Sequence, residues 1–278
     1  MPRFDTPQPI SVILEFDIGT ARISAGKRTD TVVEVLPRDG AAEADVRTAQ
    51  QTQVTYAGGK LVVKGPKKRS LFSRSGSLDI SIELPAGSRL QGTAPLGDFV
   101  TEGLLGDCTL KASAGDIQVE HGAAVQLKTG HGDIRLGSAS GDVDVAGSGR
   151  VEIGEVAGTA TVKNVNGETT IGEVTGDVRA NASNGRISLG VAHAGVDAKA
   201  ANGGIRVADV RRGQIVLMTG IGDLEVGIRE STAAWLDVNT RMGIVRNSLS
   251  TADGPGAEEH TVEVRARTGL GDIVIRRA

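Results

Sequence analysis

Aromatic residues are scarce in this chain: 278 residues contain four Phe, one Trp and one Tyr. Rings therefore cannot build the core, and aliphatic side chains with Ala must fill it. The single cysteine, Cys108, excludes an intramolecular disulfide framework. Proline is equally sparse, 8 residues beside 39 glycines, which excludes a disordered Pro/Gly tract despite the high glycine content. No run of 18 apolar residues is present that could cross a bilayer as a helix. The start, MPRFDTPQPI, lacks a basic segment followed by an apolar one, and the expectation is a cytoplasmic protein without a secretory signal. Basic charge is not in excess either: the formal net charge of −3 argues against nucleic acid as a partner and against general binding to membrane surfaces.

Repetition is what the sequence has instead. TGHGDIRLG (Thr129 to Gly137) returns as TGIGDLEVG (Thr219 to Gly227) and again as TGLGDIVIR (Thr268 to Arg276). From Gly97 to Gly222, fifteen anchor positions follow one another at steps of eight to ten residues, and thirteen of the fifteen are Gly. The second and fourth residues after each anchor are apolar at twenty-eight of thirty positions, from Phe99/Thr101 to Leu224/Val226. The residue between them is polar in thirteen of fifteen cases, as at Gln118, Arg135, Asp144 and Glu225. Such alternation marks short, half-buried strands. The turns alternate in type as well, so that the structural unit is two nines.

An 18-residue coil with two short strands predicts an all-β fold, a single parallel β-solenoid (β-helix) whose coils stack about 4.8 Å apart. The preference of parallel crossovers favours a right-handed winding. The expected organisation is one continuous structural domain. Residues 1–95 form an N-terminal β cap with irregular strands and first coils, 96–230 the regular solenoid, and 231–278 the C-terminal coils with a mobile loop at 250–260. Within the cap, 39–51 reads as a short helix and TQVTYAGGKLVVKG (Thr52 to Gly65) as a hairpin. SLDISIELP (Ser77 to Pro85) leads into the regular coils. WLDVNTRMGIV and TVEVRARTGLGDIVI read as the last two coils. The seventh residue after an anchor, small or Val at Ser113, Gly130, Val156, Val165, Val174 and Ala201, is expected at a tight inward corner.

Several residue sets invite a chemical reading. Asp follows the anchor at Asp98, Asp107, Asp116, Asp133, Asp142, Asp177, Asp223 and Asp272. A ladder of carboxylates could bind Ca²⁺ or serve a glycosidase, but Arg150, Glu168, Arg186 and Gly204 interrupt it, and bonding to local turn backbone is the expected role. Asn166, Asn184 and Asn202, spaced by 18, predict a structural amide ladder. Gly132, Gly222 and Gly271 are the structural glycines of the repeated phrase. His121, His131, His193 and His260 fall on different corners or coils, so no metal site is expected, and no cofactor. Cys108 takes an inward position and reads as core filler. Lys111, Lys128, Lys163 and Lys199 form a solubilising outward row.

The feature least explained by the repeat is KGPKKRSLFSRSGS (Lys64 to Ser77), basic without an acid. Lys67, Lys68, Arg69, Phe72 and Arg74 are its candidate partner-binding residues, for an unidentified protein partner or for an anionic surface met by loop 64–77. The alternative is a solvated loop whose charge discourages edge-to-edge aggregation.

Together, SLDISIELP, LGDFVTEGLLGDCTLKASAGDIQVEHG (Leu96 to Gly122), KTGHGDIRL and RTGLGDIVI resemble the bacterial putative-adhesin family, a β-strand-repeat domain of unknown function. In that family a strand ending in Pro commonly precedes the first Gly-Asp coils, and many members are membrane-attached or exported. The resemblance covers most of the chain, implies an all-β repeat fold, and transfers no catalytic residue. The function expected is non-enzymatic, a scaffold or interaction module. The alternatives are a surface adhesin or carbohydrate-binding β-helix and, third, a polysaccharide lyase or hydrolase.

Overall fold

The alternation of apolar and polar residues is realised as strands stacked in parallel ladders. In the computed structural model, which describes residues 1–66, 76–230, 232–250 and 260–278, all thirty positions two and four after an anchor are buried, and none of the residues between them is. The described chain divides into two compact units, Met1–Ser138 and Ala139–Ala278.

The first unit opens with β1 (Arg3–Asp5), β2 (Ser11–Glu15), β3 (Ile18–Gly26) and β4 (Asp30–Pro37), followed by helix α1 (Glu43–Gln51). β5 (Gln53–Ala57) and β6 (Lys60–Lys64) make the expected hairpin, antiparallel around Gly58 and Gly59, both at positive φ. Next come β7 (Ser77–Pro85), the long β8 (Arg89–Leu104), β9 (Cys108–Ala114), β10 (Ile117–Gly122), β11 (Val125–His131) and β12 (Ile134–Ala139). β8 turns a corner, so that Leu90 pairs with Cys108 of β9 while Phe99 pairs with Ile117 of β10. Both partners lie 18 residues on, one coil away.

Order in space departs from order in sequence at the start of this unit. β2 lies between β6 and β8, and β3 lies between β7 and β8, all parallel. The first long strands are therefore inserted beneath a coil made later in the chain. Ser77–Pro85 does not run straight into the regular stack as the sequence suggests: the layer next to β8 is already occupied by β3. β4 then covers β7 antiparallel, β5 covers β6, and β1 continues from β4. Under this cover Leu61, Val63, Ile80 and Ile82 are buried.

The second unit contains β13 (Val143–Gly147), β14 (Val151–Val156), β15 (Ala160–Asn166), β16 (Thr169–Val174), β17 (Val178–Asn184) and β18 (Ile187–Ala192). It continues with β19 (Val196–Asn202), β20 (Ile205–Val210), β21 (Gly213–Ile221) and β22 (Leu224–Ile228). β23 (Thr232–Met242), β24 (Val245–Asn247), β25 (His260–Leu270) and β26 (Ile273–Arg277) end it. Strands two apart pair in parallel at the 18-residue offset, Ala160 with Val178 and Val178 with Val196, Thr169 with Ile187 and Ile187 with Ile205. Here too the end is rearranged. β25 pairs with both β21 and β23, and β26 with both β22 and β24. The last two coils are present as expected, but the later one is inserted and the earlier one is outermost.

The two kinds of strand turn their corners differently. In β15, β17 and β19 alternation is unbroken and a third inward residue follows, Asn164, Ala182 and Ala200. In β14 and β16 the strand bends after Ile153 and Ile171, and parity shifts so that Val156 and Val174 point inward. Gly154 and Gly172 occupy the bend, where a Cβ at Gly172 would meet the Gly154 carbonyl oxygen at 2.6 Å. The expectation for the seventh residue thus holds at Val156 and Val174. It fails at Ser113, Gly130, Val165 and Ala201, which are exposed because their strands keep strict alternation.

Candidate functional site

The repeated phrase turns out to be a set of bonds between coils. Thr129 Oγ donates to the Gly115 carbonyl, Thr219 Oγ to Gly203 and Thr268 Oγ to Gly222, at 2.8–2.9 Å, each acceptor being the anchor of the adjacent coil. Asn164 takes the same place in β15, its amide donating to the Gly149 carbonyl at 2.9 Å. Gly132, Gly222 and Gly271 have φ of 137°, 145° and 144°, and a Cβ on any of them would strike the anchor glycine one coil away.

Asp completes the phrase, in a role other than the local turn bond expected for it. Asp98 accepts the backbone N–H of Asp116 at 2.9 Å, Asp116 that of Asp133 at 2.8 Å, and Asp177 that of Gly195 at 3.0 Å. Asp142 accepts both the N–H and the hydroxyl of Thr159, which hold its carboxyl below the usual range. These carboxylates join coil to coil.

The amide ladder runs from Ser148 through Asn166 to Asn184: Asn184 Nδ2 donates to Asn166 Oδ1 at 3.0 Å and Asn166 Nδ2 to Ser148 Oγ at 3.4 Å. Asn202 is in backbone register with Asn184. Beyond Asn202 the same corner position is filled by Ile221, Leu270 and Met242, in register with one another and 52%, 47% and 67% exposed. Polar rungs give way to an apolar row, a change that the fixed letters of the repeat conceal.

Cys108 is buried, and burial pushes its thiol up to about 12, so it is core filler as its inward position implies. His121 Nδ1 lies 2.8 Å from Ser138 Oγ, and His193 Nε2 lies 2.6 Å from Glu173. Among the described residues no three His, Cys, Asp or Glu side chains are grouped to hold a metal ion. Lys111, Lys128, Lys163 and Lys199 are exposed, as expected of an outward row. Lys67, Lys68, Arg69, Phe72 and Arg74 lie outside the described residues, as do 251–259 of the polar loop. The flanks of the basic run are anchored. Lys64 pairs with Glu15 at 2.6 Å, and Gly76 and Ser77 donate backbone N–H groups to Thr48 and Asp45 of α1.

The groove that the sequence did not single out lies on the outward face of β21, β25 and β23. It has a volume of about 590 Å³ and is lined by Gly213, Gln214, Trp235, Thr261, Val262, Glu263 and Arg265. The register places Gln214, Glu263 and Trp235 side by side in one row across three strands. Trp235 is 58% exposed. Arg265 Nε donates to Glu263 at 2.7 Å, which leaves a neutralised ion pair beside the ring. Chemically the row offers an apolar plate flanked by hydrogen-bonding groups, a combination suited to binding. The only sequence signal for it is that Trp235 falls on an outward position of its strand.

The family model of the Toastrack domain, DUF4097, matches residues 20–276. The chain belongs to the Toastrack family. That family is a domain of unknown function, and the resemblance seen in the Gly-Asp coils leads to the same place. No curated protein matches this Toastrack chain. Solved structures that align with it include a putative cell adhesion protein from Clostridium sporogenes, 12% identical, covering 100% of this chain and 98% of that one with a TM-score of 0.25. A putative adhesin from Bacteroides fragilis is 10% identical over 99% and 95% of the two chains, TM-score 0.35. Another from Parabacteroides merdae is 10% identical over 100% and 95%, TM-score 0.32. At these TM-scores the alignments carry nothing about activity.

Proposed function

We propose that this Toastrack chain is a non-enzymatic interaction module that holds an extended partner, a protein chain, against the outward face of β21, β25 and β23. The observation that carries this reading is Trp235, the one tryptophan, standing exposed beside Gln214 and Glu263 in the groove. An exposed ring in a groove with polar neighbours is the kind of anchor on which binding energy concentrates. The polar residues that recur along the coils are already engaged in joining them, Asp98, Asp116 and Asp177 to backbone amides and Thr129, Thr219 and Thr268 to carbonyls.

Crosslinking in the producing cells followed by mass spectrometry tests the reading. The partner is recovered with the wild-type chain and lost with Trp235→Ala while the fold is kept; equal recovery with both removes the groove as the docking face. The same ring supports a second reading, carbohydrate binding by an adhesin, since sugars stack on Trp. Glycan arrays decide between the two, and turnover of polyuronides would overturn the non-enzymatic reading altogether. Cell fractionation tests the cytoplasmic placement that belongs to the first reading. The basic run Lys67–Arg74 is proposed as a separate contact, tested by replacing Lys67, Lys68, Arg69 and Arg74 with Ser in the same capture experiment.

A further inference from the structure

The outermost coil of the second unit has an open side. In β25 the inward residues Val262, Val264 and Ala266 are buried, whereas their register partners in β23, Ala234, Leu236 and Val238, are half-exposed. Among the described residues β23 pairs with β25 alone, so beyond Thr232, whose N–H and carbonyl meet Arg229 and Arg277, its other edge has no strand partner. The strand has no Pro, no Gly and no inward charge, and the charges it does carry, Asp237 and Arg241, stand on its outward face. The outermost coil of the first unit is built differently, since β4 and β5 cover it antiparallel. Exposed apolar residues gather on the open coil, Met242, Ile244 and Val245.

What fits this edge is written in its own outward residues, Trp235, Asp237, Asn239 and Arg241. We propose that β23 pairs antiparallel with β23 of a second copy of this chain, about a twofold axis passing at Asn239. In that register Asp237 lies opposite Arg241 of the second copy, and Arg241 opposite its Asp237, so the ion pair forms twice. Asn239 meets Asn239, two amides able to exchange hydrogen bonds. Arg241 carries no ion pair among the described residues, whereas Asp237 is bound by Arg267 at 3.1 Å and keeps lone pairs for a second guanidinium. An axis normal to the sheet leaves the inward faces of both copies on the same side, so Leu236 and Val238 gain the cover they lack. A strand of any other sequence would have to supply the same alternation of charges; a second copy supplies it by symmetry.

Sedimentation velocity of the full chain, over a range of concentrations, tests the pairing. Wild type is expected to be dimeric. Arg241→Asp alone, or Asp237→Arg alone, should weaken association at least about tenfold by placing like charges opposite one another. The double variant Asp237→Arg/Arg241→Asp restores the complementarity and should restore the dimer. A second readout does not depend on charge: Asn239→Cys, on the axis, should be joined to itself by a short bismaleimide, with buried Cys108 not competing. A wild type that stays monomeric, a double variant no better than the singles, or an Asn239→Cys chain that does not crosslink overturns the proposal.

Discussion

Asp223 accepts the backbone N–H of Asp272 at 2.8 Å, and Asp272 in turn accepts that of Ile244 at 2.9 Å. Residues 49 and 28 positions apart in the chain are thereby tied together at one corner. Each bond has a charged acceptor but stands at the surface, where water can replace it. Asp223→Ala should cost about 1 kcal/mol, and Asp223→Asn less, because the amide oxygen still accepts. Urea denaturation of the two variants checks the order; an alanine variant as stable as wild type would remove these carboxylates from the account of stability.

Acid should loosen the stack at identifiable places. The N–H and hydroxyl of Thr159 hold the Asp142 carboxyl below the usual range, and the Arg28 guanidinium does the same for Asp30. A depressed folded pKa means that the contribution is complete above the unfolded value, about 4, and is lost as pH falls through the folded one. The contribution of these two carboxylates should therefore be constant on the alkaline side of about pH 5 and fall away below about 4. Asp142→Asn should flatten part of that fall. Carboxyl-detected NMR titration checks it directly, with Asp142 and Asp30 titrating below the ordinary aspartate range.

Glycine-to-alanine substitutions should divide sharply by position. Gly185 has φ of 126° and its absent Cβ would collide with the Gly167 carbonyl. Gly185→Ala should cost more than about 3 kcal/mol, strain and clash together. Gly26 has nothing within 4 Å of the same point, and Gly26→Ala should change stability by no more than about 1 kcal/mol. Thermal denaturation of both variants is the check.

The interior should behave as a dry seam of aliphatics. Ile187 is 2% exposed, and Ile187→Ala should cost about 2–5 kcal/mol. Cys108, buried and with its thiol held protonated, should react with a water-soluble disulfide reagent only at the rate at which the first unit opens. Prompt labelling of the native chain would contradict its place in the core.

The regular coils were legible because inward and outward positions there alternate with a period that composition cannot disguise: Ile134, Ile187 and the rest of that series are buried as the pattern requires. The corners were half legible. Val156 and Val165 stand at the same distance from their anchors, yet one is buried and the other 53% exposed. The difference lies in whether Gly154 bends the strand, a distinction of backbone path rather than of residue type. The rearranged ends were not legible at all. TVEVRARTGLGDIVI reads as a coil equally well in the last or the penultimate layer, and only the pairing of Thr268 with both Thr219 and Thr240 shows which it is. The groove at Trp235 followed from that same rearrangement, since Gln214, Glu263 and Trp235 become neighbours only when β25 enters between β21 and β23.

That insertion bears on how the molecule is made. A ribosome delivers residues 232–247 before the segment that forms the layer beneath them, so this coil waits for β25 and β26 to be made before it has anything to rest on. β25 and β26 are clamped on two sides, β25 by β21 and β23 and β26 by β22 and β24. Truncation within β25 or β26 would unseat not only the missing strand but the one synthesised before it.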